Sequence, residues 1–311
     1  PNVMQCRNGL GNAVRLQLLL KVNFMELQKS TSGTYYYKKG RGAPLVLLHG
    51  FPDCAENFKH QLDYFSDKGF EVFCPFMPGY HPEDQGLSSY ESIRISLEII
   101  NFVRDITKDP ITLLGHDWGA SAAYGVATLE PGMVENLITI SVPHGSNLVN
   151  AILMDGDQQR KSWYMFYFQL EVADLAVPLN DFEFIKRLWR EWSPNWSEYK
   201  EYSKSTIDVL SKEGVLSRAL GYYRSTFQVS LQGTELNEEQ MALREKKIAC
   251  PSLYLHGLND GCIGSELAEG MEDNFDNLTI KILEGCGHFL HIEKHQEVND
   301  LIHEFLVSKY I

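Results

Sequence analysis

The sequence lacks the cysteine pattern that marks a metal-binding or redox-active protein. No two of its six cysteines are spaced as Cys-x-x-Cys, so nothing supports a zinc site or a thioredoxin-like site. Single, scattered cysteines are typical of reduced and mostly buried thiols, so we expect a reducing compartment such as the cytoplasm. The six positions are Cys6, Cys54, Cys74, Cys250, Cys262 and Cys286.

The sequence also lacks an excess of positive charge and a long apolar run near its start. Its 41 acidic residues outnumber 28 basic ones and give a net charge of -13, whereas nucleic-acid binding needs clustered Lys and Arg. The early apolar run at residues 18–20 is far shorter than a signal-peptide core or a membrane helix. We therefore expect no nucleic-acid partner and no membrane span, and we assign no role to an N-terminal extension, residues 1–22.

The remaining composition is that of an ordinary globular protein, with 44% hydrophobic and 22% charged residues. Short apolar runs that end in turn residues predict the buried strands of a parallel sheet. These runs are residues 45–49, 70–74, 111–115, 137–142, 253–256 and 279–283, and we expect an antiparallel strand before them at 34–38. Helical patterns at 92–107 and 121–129 alternate with the strands, which predicts a three-layer α/β sandwich.

The alternation stops between residues 146 and 247, where only helical segments are predicted. Four of the five tryptophans fall in this stretch: Trp163, Trp189, Trp192 and Trp196. The fold class is therefore α/β, with a mostly parallel central sheet flanked by helices and an inserted helical cap. We expect the core at residues 23–145 and 248–311 and the cap at residues 146–247.

The motif Gly115-His-Asp117-Trp-Gly119 joins a predicted strand to a helix rich in small residues. Gly-x-Asp-x-Gly is the spacing of a nucleophile elbow, with aspartate where serine often stands. Glycine is needed there because the central residue sits on a sharp, strained turn against closely packed backbone. Asp117 is therefore the candidate nucleophile. The alternative is that it only caps the following helix.

The segment His49-Gly50-Phe51-Pro52 follows the first buried strand of the predicted parallel sheet. A nucleophile elbow uses a loop at this place to supply one N–H of an oxyanion hole. The expected donors are the backbone N–H groups of Phe51 and Trp118. The alternative is a simple strand-ending turn.

An acid and a histidine should follow the nucleophile in that order along the chain. Asp260 stands just past a predicted strand, and His288 stands in a glycine-rich loop after the last one. Position selects His288 among ten histidines, whereas His291 and His295, near the C-terminal helix, are expected to be solvated. The predicted triad is Asp117, Asp260 and His288.

Residues 33 to 308 resemble the epoxide hydrolases of the α/β-hydrolase superfamily, which are related to the haloalkane dehalogenases. The resemblance rests on His-Gly-Phe-Pro, Gly-His-Asp-Trp-Gly, Gly-x-x-Asp and Cys-Gly-His-Phe. The chain departs from the pattern at Pro78-Gly-Tyr-His-Pro82, where relatives usually carry Arg-Gly-Tyr-Gly. We expect this change to alter access to the site and to leave the chemistry intact.

An aspartate nucleophile restricts the chemistry. A carboxylate needs no deprotonation before it attacks a saturated carbon, and the attack leaves an ester on the enzyme. His288 then activates a water that hydrolyses the ester, while Asp260 orients the imidazole. This order of events excludes ordinary peptidase and lipase activity, and it requires no metal or cofactor.

The resemblance also implies two cap tyrosines that donate protons to the opening epoxide. Tyr164 and Tyr223 occupy the matching places, with Tyr167 and Tyr222 as neighbouring alternatives. In a chain with 15 tyrosines, packing is the competing explanation for such residues. The residues expected to line the substrate pocket are His49, Pro52, Trp163 and Phe289.

The predicted function is conversion of an epoxide and water to a vicinal diol, with a small apolar epoxide as substrate.

The first alternative is a haloalkane dehalogenase with the same triad. Trp118 favours it, Trp163 offers a halide donor, and Phe51 opposes it because dehalogenases typically carry asparagine there. Fluoroacetate dehalogenases are disfavoured, since their arginines after the nucleophile are replaced by Trp118 and Ser121. The last alternative is a non-enzymatic binding protein. We expect a monomer or a homodimer.

Overall fold

The structure is a computed structural model that describes residues 25–144, 146–232, 234–236, 239–240, 243 and 246–308. The predicted extension at residues 1–22 lies outside the described residues. So does Cys6, whereas the five described cysteines are all buried and form no disulfide with one another, as the sequence predicts. None of the helices in the described part of the chain combines the length and apolar character needed to cross a bilayer.

The centre of the molecule is an eight-stranded sheet with the order β1-β2-β4-β3-β5-β6-β7-β8. β2 pairs antiparallel with β1 and β4, and every other pair is parallel, so the predicted α/β sheet with an antiparallel early strand is confirmed. The strands are Glu26–Lys29, Tyr35–Gly40, Ala43–Leu48, Phe70–Pro75, Ile111–His116, Val134–Ile140, Ser252–Gly257 and Leu278–Leu283.

The central strands are buried on both faces because helices cover the sheet on each side. All six residues of β5 are buried, and β7 has the same pattern. The helices connected to these strands are α1 (Lys59–Asp67), α2 (Ser92–Ile106), α3 (Trp118–Leu129), α11 (Leu290–Glu293) and α12 (His295–Val307).

The last strand, β8, corrects one expectation. The sequence predicts a buried strand at residues 279–283, but β8 lies at the edge of the sheet and most of its residues are partly or fully exposed. Its two isoleucines, Ile280 and Ile282, lie on one face of the sheet, and Ile282 is 40% exposed. An apolar run alone does not distinguish a central strand from an edge strand.

The described residues between β6 and β7 form helices and no strand. The α-helices are α4 (Ser146–Met154), α5 (Gly156–Lys161), α6 (Trp163–Tyr167), α7 (Val172–Ala176), α8 (Leu179–Trp192), α9 (Tyr199–Leu210) and α10 (Val215–Phe227). We keep the name cap for residues 146–247. Its status as a separate unit from the core stays a prediction.

Candidate active site

Asp117 lies on the sharp turn between β5 and α3. Its backbone has φ 53° and ψ −119°, a conformation that side-chain-bearing residues rarely adopt. Its side chain makes no capping hydrogen bond to α3, so the interpretation of Asp117 as a mere helix cap is wrong.

Three glycines make this turn possible by close backbone packing. A Cβ atom on Gly115 would lie 2.2 Å from the Gly119 carbonyl oxygen, and one on Gly119 would lie 2.1 Å from that of Leu48. A Cβ atom on Gly50 would lie 2.4 Å from Asp117 Oδ1. Any side chain at these positions would therefore displace the turn or its carboxylate.

The two carboxylate oxygens of Asp117 have different surroundings. Oδ1 accepts a hydrogen bond of 2.8 Å from the backbone N–H of Phe51. The Trp118 nitrogen borders the same corner, since a Cβ on Gly50 would lie 2.7 Å from it. Oδ2 instead faces His288, with 3.5 Å between it and Nε2. One oxygen is thus held by the Phe51 N–H and the other lies beside an imidazole.

The structure brings Asp117, Asp260 and His288 together. His288 Nδ1 lies 2.8 Å from Asp260 Oδ2, and the other Asp260 oxygen accepts from the N–H groups of Cys262 and Ile263 at 2.7 and 2.9 Å. His288 is fully buried, and its Nε2 has no hydrogen-bond partner among the described residues. That nitrogen is therefore free to bind a small polar group beside Asp117.

Burial and neighbouring charges shift the pKa values of His288 and Asp260 in opposite directions. Burial lowers the pKa of His288, but the carboxylates of Asp260 and Asp117 outweigh it and raise the pKa to about 10. Burial raises the pKa of Asp260, but His288 and His256 hold it below the usual aspartate value. In the resting site, the imidazole is therefore a cation between two carboxylates.

The His288 loop is held by contacts that the sequence did not reveal. The His288 carbonyl oxygen accepts from Ser141 Oγ at 2.8 Å and lies 3.0 Å from His116 Nε2. The His288 N–H donates to the Trp192 carbonyl at the end of α8, at 3.0 Å. Gly261 N–H donates to the same carbonyl at 3.0 Å, so one oxygen of the cap joins the acid loop to the histidine loop.

A second buried polar cluster lies beside the triad. His291 Nε2 is 3.2 Å from Asp53 Oδ2, and the other Asp53 oxygen accepts from the Cys54 N–H and the Asn57 amide. The expectation that His291 is solvated is wrong, because its side chain is fully buried and its ring stacks on Phe58. Burial lowers the pKa of His291 to about 3, so its ring is neutral.

The two predicted cap tyrosines lie side by side and fully buried. Their rings are 5.6 Å apart, and Tyr223 also packs edge-on against Phe51 and Trp118. The Tyr164 hydroxyl lies 3.3 Å from Cys262 Sγ, whereas the Tyr223 hydroxyl has no partner among the described residues.

Burial raises the pKa of both hydroxyls well above 10, and the nearby charge of Asp117 raises it further. Both hydroxyls therefore keep their protons at neutral pH and are available as hydrogen-bond donors.

The neighbouring tyrosines have other partners. The Tyr222 hydroxyl donates to the Pro78 carbonyl at 2.7 Å, so it is used in packing. Tyr167 is half-buried and stacks on Phe184, with 5.4 Å between the ring centroids. These contacts distinguish Tyr223 from Tyr222 and Tyr164 from Tyr167, a distinction that adjacent positions in the sequence do not provide.

Two of the predicted pocket residues support the loop that carries Phe51. His49 Nε2 accepts from the Met77 N–H at 3.0 Å, and its Nδ1 lies 3.1 Å from the Gly50 carbonyl. The Pro52 carbonyl accepts from Trp189 Nε1 at 2.7 Å. Because both His49 nitrogens bind backbone, we interpret His49 as a brace of the loop, and its place in the pocket wall stays a prediction.

The other two predicted pocket residues are both aromatic: Trp163 lies in the cap, and Phe289 packs against it from the core. Phe289 is fully buried, stacks on Trp189 at 3.8 Å and meets the His288 ring edge-on. Trp163 contacts Phe184 at 5.4 Å, and the Arg187 guanidinium lies 4.7 Å from its ring centre. The ring contacts of Phe289 thus reach the triad, whereas those found for Trp163 lie within the cap.

The unusual loop at residues 78–82 is tied to the cap. Arg218 of α10 donates to the Gly79 and His81 carbonyls at 2.9 and 3.1 Å. Tyr80 is buried, its ring meets His49 edge-on, and its hydroxyl has no partner among the described residues. This tyrosine is a further polar group near Asp117 that the sequence argument missed.

Two groups of buried side chains have the composition of a metal site, with ligand atoms within 4.8 Å of one another. In each group, an aspartate oxygen already shares a hydrogen bond with a histidine ring. We therefore interpret both as hydrogen-bonded clusters and assign no metal to them. The groups are Asp53, His116 and His291, and Asp260, Cys262 and His288.

The elbow, the ordered triad and the mostly parallel sheet define a class of protein, and comparison with known proteins agrees. Residues 43–295 match the family model described as the alpha/beta hydrolase fold. The chain therefore belongs to the α/β-hydrolase family.

Individual relatives confirm the resemblance to epoxide hydrolases. The chain is 29% identical to epoxide hydrolase 4 of Homo sapiens over 296 residues, which cover 91% of this chain and 78% of the relative. It is 28% identical to an AB hydrolase superfamily protein of Bacillus subtilis, covering 86% and 91%. A Bacillus megaterium epoxide hydrolase, solved in complex with an inhibitor, superposes with TM-score 0.75 at 25% identity, covering 90% and 99%.

Proposed function

We propose that this protein hydrolyses a small apolar epoxide to a vicinal diol through a covalent ester on Asp117. The observation that carries the proposal is the unequal environment of the Asp117 oxygens. Oδ1 is bound by the Phe51 N–H, and Oδ2 is left beside His288 as the attacking atom. The similarity to epoxide hydrolases supports the substrate class.

In the first step, Asp117 Oδ2 attacks one epoxide carbon and displaces the ring oxygen. The C–O bond of the ring breaks as the ester bond forms, and the departing oxygen takes a proton from a tyrosine hydroxyl. Tyr223 and Tyr164 are the proposed donors because both are buried, protonated and close to the nucleophile. Donors aimed at a developing alkoxide stabilise the transition state.

In the second step, His288 Nε2 takes a proton from a water molecule, and the resulting hydroxide attacks the ester carbonyl carbon. The Phe51 N–H, together with the Trp118 N–H, stabilises the negative charge that forms on Oδ1. The tetrahedral intermediate then expels the alkoxide of the diol, which takes the proton of the newly formed carboxylic acid, so that the diol is released and the Asp117 carboxylate is regenerated. Asp260 holds the imidazolium in place during the transfer.

Ester formation also prepares His288 for this second role. Part of the elevation of its pKa to about 10 comes from the nearby Asp117 carboxylate. When Asp117 becomes a neutral ester, that contribution disappears and the pKa of the imidazolium falls, so its proton passes to the tyrosinate left by the first step and the neutral imidazole can act as a base. The first step therefore switches the histidine from cation toward neutral base.

The experiment that tests the function compares diol formation from an aryl epoxide with halide release from a bromoalkane. We expect diol formation by the native protein and none by Asp117→Ala. Halide release without epoxide opening would replace the proposal with a dehalogenase. No reaction with either substrate would favour a binding protein. A monomer or homodimer in the cytoplasm stays a prediction.

A further inference from the structure

His256 is a buried histidine that the proposed mechanism does not use. It lies on β7, four residues before Asp260, and is fully buried. Its Nε2 is 3.1 Å from Asp260 Oδ2 and 3.1 Å from the Ile263 carbonyl oxygen. Its Nδ1 is 2.5 Å from the hydroxyl of Tyr254 on the same strand.

These contacts assign the tautomer of His256. Nε2 faces two acceptors, so it must carry the hydrogen, and Nδ1 then accepts from the Tyr254 hydroxyl. Burial raises the pKa of Tyr254 well above 10, so that hydroxyl keeps its proton. Tyr254 therefore holds the His256 ring in the form that donates toward Asp260.

The Asp260 carboxylate is surrounded by four donors as a result. Two backbone N–H groups bind Oδ1, His288 Nδ1 binds Oδ2, and His256 Nε2, whose hydrogen is shared with the Ile263 carbonyl, lies 3.1 Å from the same Oδ2. A second donor on Oδ2 stabilises the carboxylate and withdraws negative charge from the oxygen that His288 contacts. The triad acid is thus paired with two histidines, of which only His288 faces the nucleophile.

We propose that Tyr254 and His256 are positioning residues that fix Asp260 and weaken its hold on the His288 proton. The inference rests on the proposed function, because its effect falls on the step in which His288 must be a neutral base. Tyr254 sets the tautomer, His256 binds Asp260, and Asp260 binds His288. Neither Tyr254 nor His256 touches the substrate in this scheme.

Other titratable groups also act on these rings, and they stay unchanged in the test. The groups that influence His288 are Asp260, Asp117, His116, His291, Glu293 and Cys262. His256 faces Asp260 and Tyr254, and Tyr254 is additionally influenced by Tyr124 and Asp260. A change confined to position 256 or 254 therefore reports the proposed link alone.

The kinetic test follows hydrolysis of the accumulated alkyl-enzyme against pH in a single turnover. The acid limb is the part of the profile in which the rate of hydrolysis falls as the pH is lowered. In His256→Leu, this limb should move to higher pH by about 0.5 unit, so hydrolysis at pH values below the limb should be about threefold slower. The rate of ester formation should stay unchanged. His256→Gln places an amide N–H near the same oxygen and should restore the native limb.

Tyr254→Phe provides the second arm of the kinetic test. Without the hydroxyl, the ring is free to take the tautomer whose Nε2 lone pair repels Asp260, so the limb should move in the same direction by a smaller amount. Adding His256→Gln to Tyr254→Phe should remove that shift, because an amide needs no tautomer lock. Tyr64→Phe, which loses only an exposed contact to Asp300, should leave the limb unmoved.

An activity-independent measurement separates this inference from the proposed function. Imidazole ¹⁵N NMR should show a protonated Nε2 and an unprotonated Nδ1 on His256, and a higher His288 pKa in His256→Leu than in the native protein. The opposite tautomer, or an unmoved limb and His288 pKa in the folded variants, would overturn the proposal. If no alkyl-enzyme forms in the native protein, the proposed function fails while the NMR result still decides the role of His256.

Discussion

The two cap tyrosines differ in how their hydroxyls are engaged. The Tyr164 hydroxyl contacts a thiol at 3.3 Å, and sulfur is a weak partner that a substrate oxygen would readily replace. The Tyr223 hydroxyl is buried without a partner among the described residues, which costs free energy in the resting protein. We infer that the Tyr223 hydroxyl gains more hydrogen-bond stabilisation than the Tyr164 hydroxyl when an epoxide oxygen enters the site.

Replacing Tyr223 with phenylalanine should therefore slow ester formation about 100-fold, and Tyr164→Phe about 10-fold, because each removes one donor to the alkoxide. Hydrolysis of the ester should change little in either variant. Pre-steady-state kinetics of the two steps checks this. Tyr222→Phe is the matched control, because the Tyr222 hydroxyl donates to the Pro78 carbonyl. This variant should have a lower free energy of unfolding and unchanged rates of ester formation and hydrolysis. Equal rates in Tyr222→Phe and Tyr223→Phe would contradict the assignment.

At the residue scale, chain order and turn chemistry predicted that Asp117, Asp260 and His288 lie together, and the structure places them in contact, because an elbow and two strand-ending loops leave local patterns. The same reasoning missed Tyr80 and the role of His256. Tyr80 packs against Tyr222, which lies far along the chain, whereas the partners of His256 lie within seven residues and are brought together only by the turn that follows β7. No local pattern reports such contacts, since burial of a histidine depends on what the completed fold packs against it.

At the element scale, the C-terminal end of α8 connects the cap to the triad. The last carbonyls of a helix have no partner within the helix, and the Trp192 carbonyl is satisfied by N–H groups of both catalytic loops. Next to it, Ser193 Oγ donates to Glu293 at 2.6 Å and accepts from the Phe289 N–H at 3.2 Å. Cap residues thus contribute directly to the geometry of the histidine loop.

The substitution Ser193→Ala should loosen the histidine loop. It removes a donor from the largely buried Glu293 carboxylate and an acceptor from the Phe289 N–H, so we expect a loss of about 1–3 kcal/mol of unfolding free energy. Amide hydrogen exchange in the segment around His288 should also accelerate, measured by mass spectrometry. Ser211→Ala, which loses only an exposed contact to the Asp208 carbonyl, is the control. Unchanged exchange near His288 would contradict this link.

Strands with strong apolar runs were predictable as elements, and their bounds agree to within about three residues. β1 was missed because Glu-Leu-Gln-Lys is short, polar and mostly exposed. β8 was assigned correctly as a strand but wrongly as buried, because its position at the sheet edge depends on strand order. Pairing order is a property of the whole sheet, and a single run does not encode it.

At the scale of the whole molecule, buried neutral histidines should make stability depend on acidity. Burial lowers the pKa of His49 and His144 to about 4 and that of His291 to about 3. The unfolded chain binds these protons near the ordinary histidine pKa of 6.5, while the folded protein does not. Stability should therefore fall as the pH drops from about 6.5 toward 4.

His144 is the clearest test of this acid sensitivity. Its ring lies edge-on to Tyr124 and Phe275, it is 8% exposed, and burial is the only cause of its shift. In His144→Phe, the loss of unfolding free energy between pH 7 and pH 5 should be smaller by about 2 kcal/mol. Urea unfolding at both pH values measures it. An identical pH dependence in the variant and the native protein would show that His144 does not contribute.

The covalent ester on Asp117 is the centre of the account, and trapping it is the most direct test. His288→Gln should still allow attack on an epoxide but should remove the base for hydrolysis. After incubation with an aryl epoxide and proteolysis, mass spectrometry should find the peptide containing Asp117 heavier by the full mass of the epoxide. Asp117→Ala should show no adduct on that peptide. Normal turnover by His288→Gln, or its failure to accumulate an adduct on that peptide, would contradict the mechanism.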